Sequence, residues 1–165
     1  EIFEFRLIQT DPNFANYRYD TESRQLILLD FGATRAYSPA IIDAYRRLMR
    51  AAIADHRAGM DQAAQDIGYF QADIKEYQRQ QVLDIFAMAC EPLRYAGLYD
   101  FGNTDLAARI RDAGMVLGRD RDFWHTPPAD ALFLHRKVGG LYLLAARLKA
   151  SVNMATIAEE FVLSS

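Results

Sequence analysis

Apolar and polar residues alternate at the start of the chain, through Ile2-Phe3-Glu4-Phe5-Arg6-Leu7-Ile8, and again in short stretches further on. A period of two marks a strand with one face toward a core, so strands are expected over residues 6–9, 17–19 and 25–29. The polar turn Asp20-Thr21-Glu22-Ser23-Arg24 joins the last two as a hairpin. At Ser38-Pro39 the period changes. Ser38 offers an N-cap hydroxyl and Pro39 a pre-set φ at the first helical position. Ile41, Ile42, Tyr45, Leu48, Met49, Ala52 and Ile53 then recur every three to four residues, and this helix is expected to end near Gly59.

The helical period continues toward the C-terminus. A short helix is expected over residues 60–67. A longer one runs to Glu91, with Asp73 as its cap, Ile74, Tyr77, Val82, Ile85, Phe86 and Ala89 as its apolar stripe, and Pro92 as its stop. Another, from Thr104 to about Gly114, precedes an irregular charged stretch, Gly118-Arg119-Asp120-Arg121-Asp122, and Pro127-Pro128 breaks the chain again. The strongest helix covers residues 130–150, with Leu134, Val138, Leu141, Ala145 and Leu148 on one face. Asn153 caps a last helix to about Leu163. Gly139-Gly140 inside the strong helix cost ~1 kcal/mol each against alanine, which points to another backbone passing close by. The expected fold is mainly α, of α+β type: a small β-hairpin layer over residues 1–37 leading into a helical bundle over 38–165, in a single domain.

Composition narrows the functions. With 165 residues, 51% of them hydrophobic and 25% charged, the chain can bury one core. A net charge of −3 and dispersed arginines give no general attraction to nucleic acid or to an anionic membrane. The single cysteine, Cys90, excludes an internal disulfide, sits among apolar neighbours as a buried thiol would, and fits a reducing compartment, so a cytoplasmic location is expected. The longest apolar run, about nine residues from Val138, falls short of the roughly 18 that a transmembrane helix needs. The chain opens on Glu1 with no signal-peptide pattern and reads as a fragment.

Two segments carry candidate chemistry: Gln9-Thr10-Asp11-Pro12-Asn13-Phe14-Ala15-Asn16, and Leu26-Ile27-Leu28-Leu29-Asp30-Phe31-Gly32. Phosphoryl transfer from a nucleotide needs Mg²⁺ on hard oxygen ligands and a carboxylate that orients the incoming hydroxyl. Kinase-type sites place an Asp and an Asn five positions apart on one loop, and a second Asp at the head of Asp-Phe-Gly after the next strand. Asp11 and Asn16 have that spacing, and Asp30 follows four apolar residues expected to form a buried strand. On this pattern Asp11 is the base or orienting carboxylate, Asn16 a metal ligand, and Asp30 the ligand that bridges Mg²⁺ and the phosphates of ATP. A second copy, Asp100-Phe101-Gly102, has no partner loop upstream and is expected to be a turn in which Gly102 serves backbone conformation.

These words together with Ala33-Thr34-Arg35, Leu134-His135-Arg136-Lys137 and Gly139-Gly140 resemble the UbiB (AarF) family of atypical, protein-kinase-like proteins, over essentially the whole chain. The resemblance implies a kinase-like C-terminal lobe whose N-terminal lobe lies outside the chain. It also implies Mg²⁺ and adenine-nucleotide binding, a link to ubiquinone biosynthesis, and ATPase or small-molecule or lipid kinase activity. Lipid or quinone-biosynthesis proteins are the implied partners, with any membrane association peripheral and made through the parent protein. Independently of the resemblance, only about five residues separate Gly32 from Ser38, too few for a peptide-docking activation segment, and no Ala-Pro-Glu anchor follows.

Other features weigh less. No Gly-rich loop precedes Asp11, and Lys75, Lys137 and Lys149 all fall on expected helices, so the phosphate-clamping half of a nucleotide site is absent. Arg35 suits a structural ion pair better than a phosphate contact. His135, Arg136 and Lys137 point to different helix faces and suit packing and capping. His56 and His125 lack ligand partners, the Arg119 to Asp122 run suits a solvated loop, and Phe123 and Trp124 suit packing anchors. Two readings compete with an ATP-using enzyme: a silent pseudokinase or binding module, and a phosphotransferase of the choline or aminoglycoside kinase type. The latter usually carries His where Gln9 stands.

Overall fold

The computed structural model describes residues 1–120 and 127–163. Ile2–Phe5 form one helical turn, α1, closed by Arg6 in the left-handed region (φ 54°). The opening alternation therefore becomes a strand only at Leu7. Ile2 and Phe3 both pack on the helical core, and a helical turn can bring neighbours to one side where a strand would part them.

Strand β1 (Leu7–Gln9) pairs antiparallel with β4 (Thr34–Ala36), Ile8 opposite Arg35; β4 is an element the periodicity did not announce. The expected hairpin forms from β2 (Tyr17–Asp20) and β3 (Gln25–Leu28), with Tyr17 opposite Leu28 and Asp20 opposite Gln25. Asp20 closes its turn by accepting from the Glu22 N–H at 3.1 Å and the Ser23 hydroxyl at 2.5 Å. The expectation of a buried strand ahead of Asp30 is overturned. Leu26 is 61% exposed, and Ile27, Leu29 and Phe31 are exposed too, because β3 has only β2 beside it among the described residues.

The first long helix, α2, covers Pro39–Ile53, with Ser38 Oγ accepting from the Ile41 N–H. It stops well before Gly59, since Asp55 adopts a left-handed φ of 52° and redirects the chain into α3 (Arg57–Ile67). Gly59 lies inside α3, where a Cβ would crowd His56 and Ala51, so its absence lets the two helices pack closely. Helix α4 (Glu76–Ala89) starts at Lys75, whose N–H donates to Gln78 Oε1, so Asp73 is not the capping residue. The buried stripe takes in Gln78 and leaves Tyr77 exposed. Pro92 sits in the first turn of α5 (Glu91–Arg94), where it needs no N–H partner, and does not itself end α4. Helix α6 runs from Leu106 to Arg119, through Gly114 and Gly118, further than expected. Helix α7 covers Ala129–Arg147, and α8 (Met154–Ala158), capped by Asn153 Oδ1, runs on as a π-turn to Leu163. A two-residue ladder, β5 (Tyr99–Asp100) with β6 (Ser151–Val152), was not foreseen.

The fold is thus mainly α with small antiparallel sheets. Its main core joins Ile42, Tyr45, Leu48 and Ala52 of α2, Met60 and Ala64 of α3, Leu83 and Phe86 of α4, and Leu134 of α7. Ile8 and Tyr37 tie the β1–β4 ladder to it. Cys90 is buried as expected, and burial pushes its thiol up to about 11. Among the described residues no helix is long and apolar enough to cross a membrane. Phe123, Trp124, His125 and the Arg121-Asp122 end of the charged run lie outside the described residues.

Candidate functional site

Strand β1 delivers Gln9 and Thr10 into buried positions and Asp11 to its open end. Thr10 fixes the start of the loop, donating its N–H (2.9 Å) and its hydroxyl (2.6 Å) to the carbonyl of Ala33. Pro12 then denies the chain a further donor, and Asn13 Oδ1 accepts from the Ala15 N–H at 3.1 Å to start a 3₁₀ turn over Phe14–Asn16. That turn folds Asn16 back onto Asp11. Its Nδ2 donates to Asp11 Oδ2 at 2.9 Å, which leaves the amide oxygen for another partner. The Asn16 carbonyl in turn accepts from the Leu29 N–H at 2.9 Å. The residue after Leu29 is Asp30, so the two sequence words are stitched together one residue short of the second carboxylate.

Asp30 is exposed and accepts from the Gly32 N–H through Oδ1 at 2.8 Å. The Asp100 copy makes the same local turn, Gly102 N–H to Asp100 Oδ1 at 2.9 Å, with Asn103 Nδ2 on its other oxygen at 2.6 Å. The Asn103 amide and then the Gly102 N–H hold the Asp100 carboxyl below its ordinary value. Context separates the copies. Phe101 is buried in a cluster with Tyr99 and Leu106, whereas Phe31 is 60% exposed. Gly102 has no left-handed φ; a Cβ there would lie 3.0 Å from the Lys149 backbone, so close approach explains the glycine, not turn conformation.

Sequence reasoning underrated α7. Arg136 Nη2 donates to Asp11 Oδ1 at 3.1 Å, so both oxygens of Asp11 are held, one by Asn16 and one by Arg136. Lys137, only 5% exposed, donates to Gln9 Oε1 at 3.1 Å and to the Tyr17 hydroxyl at 2.9 Å, joining α7 to both ends of the loop. Gly140 lies under Pro12, where a Cβ would fall well inside contact distance of the proline ring. The close approach expected of the glycine pair is real for Gly140; Gly139 meets nothing. The adjacency of the Arg-Lys pair to the glycine pair, at helical spacing from one loop, was the available signal. Of the other lysines, Lys75 precedes α4 and Lys149 follows α7, so neither is helical as expected. Arg35 makes the structural pair, Nη2 to Asp130 Oδ1 at 2.6 Å, with its guanidinium over Phe133.

Asp11 and Asn16 thus meet at an open edge, and Asp30 follows directly on the backbone bond that ties its segment to Asn16. Asp11 has a neighbouring cation, Asp30 keeps one oxygen with no bond to the turn, and the Asn16 oxygen is spare. Hard oxygens in this number suit Mg²⁺, which keeps several waters and takes few protein ligands. No group of three or more His, Cys, Asp or Glu at metal spacing occurs among the described residues, so a metal here would depend on the amide and on groups from its ligand. A groove of about 460 Å³ opens beside the loop between Asp11, Phe14 and the α7 residues Arg136, Gly140, Leu143 and Arg147.

Residues 1–64 match the family model of the ABC1 atypical kinase-like domain. The chain is 39% identical over 153 residues to the atypical kinase COQ8B, mitochondrial, of Rattus norvegicus, covering 92% of this chain and 28% of that protein. To the atypical kinase COQ8, mitochondrial, of Saccharomyces cerevisiae it is 33% identical over 163 residues, covering 97% of this chain and 32% of that one. The coq-8 protein of Caenorhabditis elegans, carrying the same description, is 32% identical over 164 residues, 97% and 22% of the two chains. The chain therefore spans between about a fifth and a third of the length of these relatives.

Proposed function

Because the chain belongs to the ABC1-domain atypical kinases, the UbiB family, we propose that it supplies the catalytic-loop side of a Mg-ATP site in an atypical kinase or ATPase linked to ubiquinone biosynthesis. The observation that carries this reading is the Asn16-to-Asp11 bond coupled to the Leu29-to-Asn16 bond, which brings the loop and the Asp-Phe-Gly segment to one edge. Bound Mg-ATP would supply an electrophilic phosphoryl group with part of its charge neutralised. Asn16, through its amide oxygen, and Asp30, through its free carboxylate oxygen, would hold the metal. Asp11 would orient the hydroxyl of the acceptor, with Asn16 and Arg136 fixing the carboxylate's rotation. In the intact protein the α and β phosphates would be clamped by residues outside this chain, which has no Gly-rich loop and no strand lysine.

A small acceptor is favoured over a protein substrate. The segment from Gly32 to Pro39 is taken up by β4 and the Ser38 cap, which leaves no length on which a peptide could dock. The test is thermal unfolding with Mg-ATP, with ATP alone and in buffer, for the wild type, Asp30→Asn and Asp100→Asn. Ligand at roughly 100 times Kd adds about 2.7 kcal/mol, or several degrees. A metal-dependent rise is expected in the wild type and in Asp100→Asn but not in Asp30→Asn. If Asp100→Asn alone abolished the rise, the assignment would be wrong.

A further inference from the structure

One stripe of α7 faces the loop that carries Asp11. Arg136, Gly140, Leu143, Leu144 and Arg147 fall at positions i, i+4, i+7, i+8 and i+11, and all line the groove together with Phe14. Eleven residues of helix separate the two arginines by about 16 Å. The charges along this stripe are unequal. Arg136 is paired with Asp11, so the end of the groove nearest the candidate reaction centre is close to neutral. Arg147 meets no carboxylate among the described residues. Its guanidinium lies 5.2 Å above the Phe14 ring, which holds the cation at the groove's far end. Between the two ends the floor is apolar, with Leu143 61% exposed and Phe14 49% exposed.

From this order of polarity we infer that the groove is an acceptor subsite for a small amphipathic anion: a hydroxyl at Asp11, an apolar body over Leu143, Leu144 and Phe14, and a phosphate or carboxylate on Arg147. The inference rests on the role proposed for Asp11, and it adds the chemical class of the acceptor and a residue that selects it. A doubly charged small ion gains nothing from the leucine floor. A neutral alcohol leaves Arg147 unused. Reversing the ligand would trade the Arg147 cation for an end where Arg136 is already paired with Asp11, so this orientation binds the anion less well. Arg147 occupies the last turn of α7, where a cation also complements the helix dipole, and it is exposed, so its replacement leaves the core intact.

The test measures binding in the intact protein by calorimetry, without nucleotide. The probes are 6-hydroxyhexyl phosphate, hexane-1,6-diol, inorganic phosphate, and phosphatidylcholine vesicles with and without phosphatidic acid. 6-Hydroxyhexyl phosphate is expected to bind, and Arg147→Gln to weaken it about ten-fold, the scale of one charge-assisted hydrogen bond, while Arg147→Lys keeps most of the affinity. The diol and inorganic phosphate should each bind at least several-fold more weakly than the hydroxyalkyl phosphate. Arg147-dependent binding of the soluble probe assigns a free metabolite, and Arg147-dependent binding of the phosphatidic acid vesicles assigns a lipid headgroup; either supports the subsite. Equal affinity in wild type and Arg147→Gln for both, or inorganic phosphate binding as tightly as the hydroxyalkyl phosphate, would overturn it. Asp30→Asn separates this inference from the nucleotide reading: it should leave binding of the soluble probe unchanged even where it abolishes the Mg-ATP response.

Discussion

Two residues of α7 only two positions apart, Lys137 and His135, meet opposite surroundings. Lys137 is buried yet satisfied, its ammonium between Gln9 Oε1, the Tyr17 hydroxyl and, at 3.9 Å, the Glu1 carboxylate. His135 turns the other way, its ring stacked on Tyr69 and edged by Phe86 and Tyr45, with a close Nε2 contact to the Tyr69 hydroxyl. This surround disfavours the protonated ring and pulls its pKa down to about 4. The unfolded chain, with an ordinary His near 6.5, therefore binds more protons between those two values. Stability contributed by neutral His135 is full above pH 6.5 and is lost as the pH falls toward 4. Part of the ring also lines an apolar groove open to water, so screening cuts the expected loss to about 1–2 kcal/mol. Urea unfolding at pH 7.5 and pH 5 should show the wild type losing more stability than His135→Gln by roughly this margin. Parallel losses in the two proteins would remove His135 from the account.

At the scale of elements, the glycine pair of α7 makes the sharpest contrast. A methyl at Gly139 meets nothing within 4 Å, while a methyl at Gly140 collides with the Pro12 ring. Gly139→Ala should therefore stabilise by up to about 1 kcal/mol through helix propensity alone. Gly140→Ala must push α7 and the Asp11 loop apart and should cost about 1–3 kcal/mol. Chemical denaturation of both variants measures this; equal shifts would mean that Pro12 yields freely. The pair also shows what the sequence made legible. Periodicity located the helices, and spacing singled out Asp11, Asn16 and Asp30 as candidates, because both are local properties. The end of α2 and the start of α4 were misjudged since Asp55 rather than Gly59 shapes the first, and Gln78 rather than Asp73 the second. The pairing of β1 with β4, and of Arg136 with Asp11 across 125 positions, depends on tertiary folding that no local pattern encodes.

Across the whole molecule, apolar burial and chemistry are segregated. The packed core belongs to α2, α3, α4 and α7, while the hairpin beside the site exposes Tyr19, Leu26 and Ile27. Among the described residues the layers are joined by Ile8 and Tyr37 in the core, the Tyr37 hydroxyl on the Asp130 carbonyl at 3.0 Å, Arg35 on Asp130, Lys137 on Gln9 and Tyr17, Arg136 on Asp11, Arg147 over Phe14, and Pro12 on Gly140. A two-stranded hairpin tied to the helices through little more than Tyr17 is marginal by itself. Its backbone bonds should consequently open without unfolding the helices, at a free energy well below the global value. Native-state hydrogen exchange tests this directly. Amides of Arg18 to Ile27 that are bonded across the hairpin should exchange orders of magnitude faster than those of Tyr45 to Ala52 in α2, with little denaturant dependence. The Thr10 amide, held on Ala33 between buried neighbours, should be slower than the hairpin. If hairpin and α2 amides exchanged together, with the denaturant dependence of global unfolding, the site layer would be as firmly folded as the core. The links between the layers would then couple the hairpin to the core.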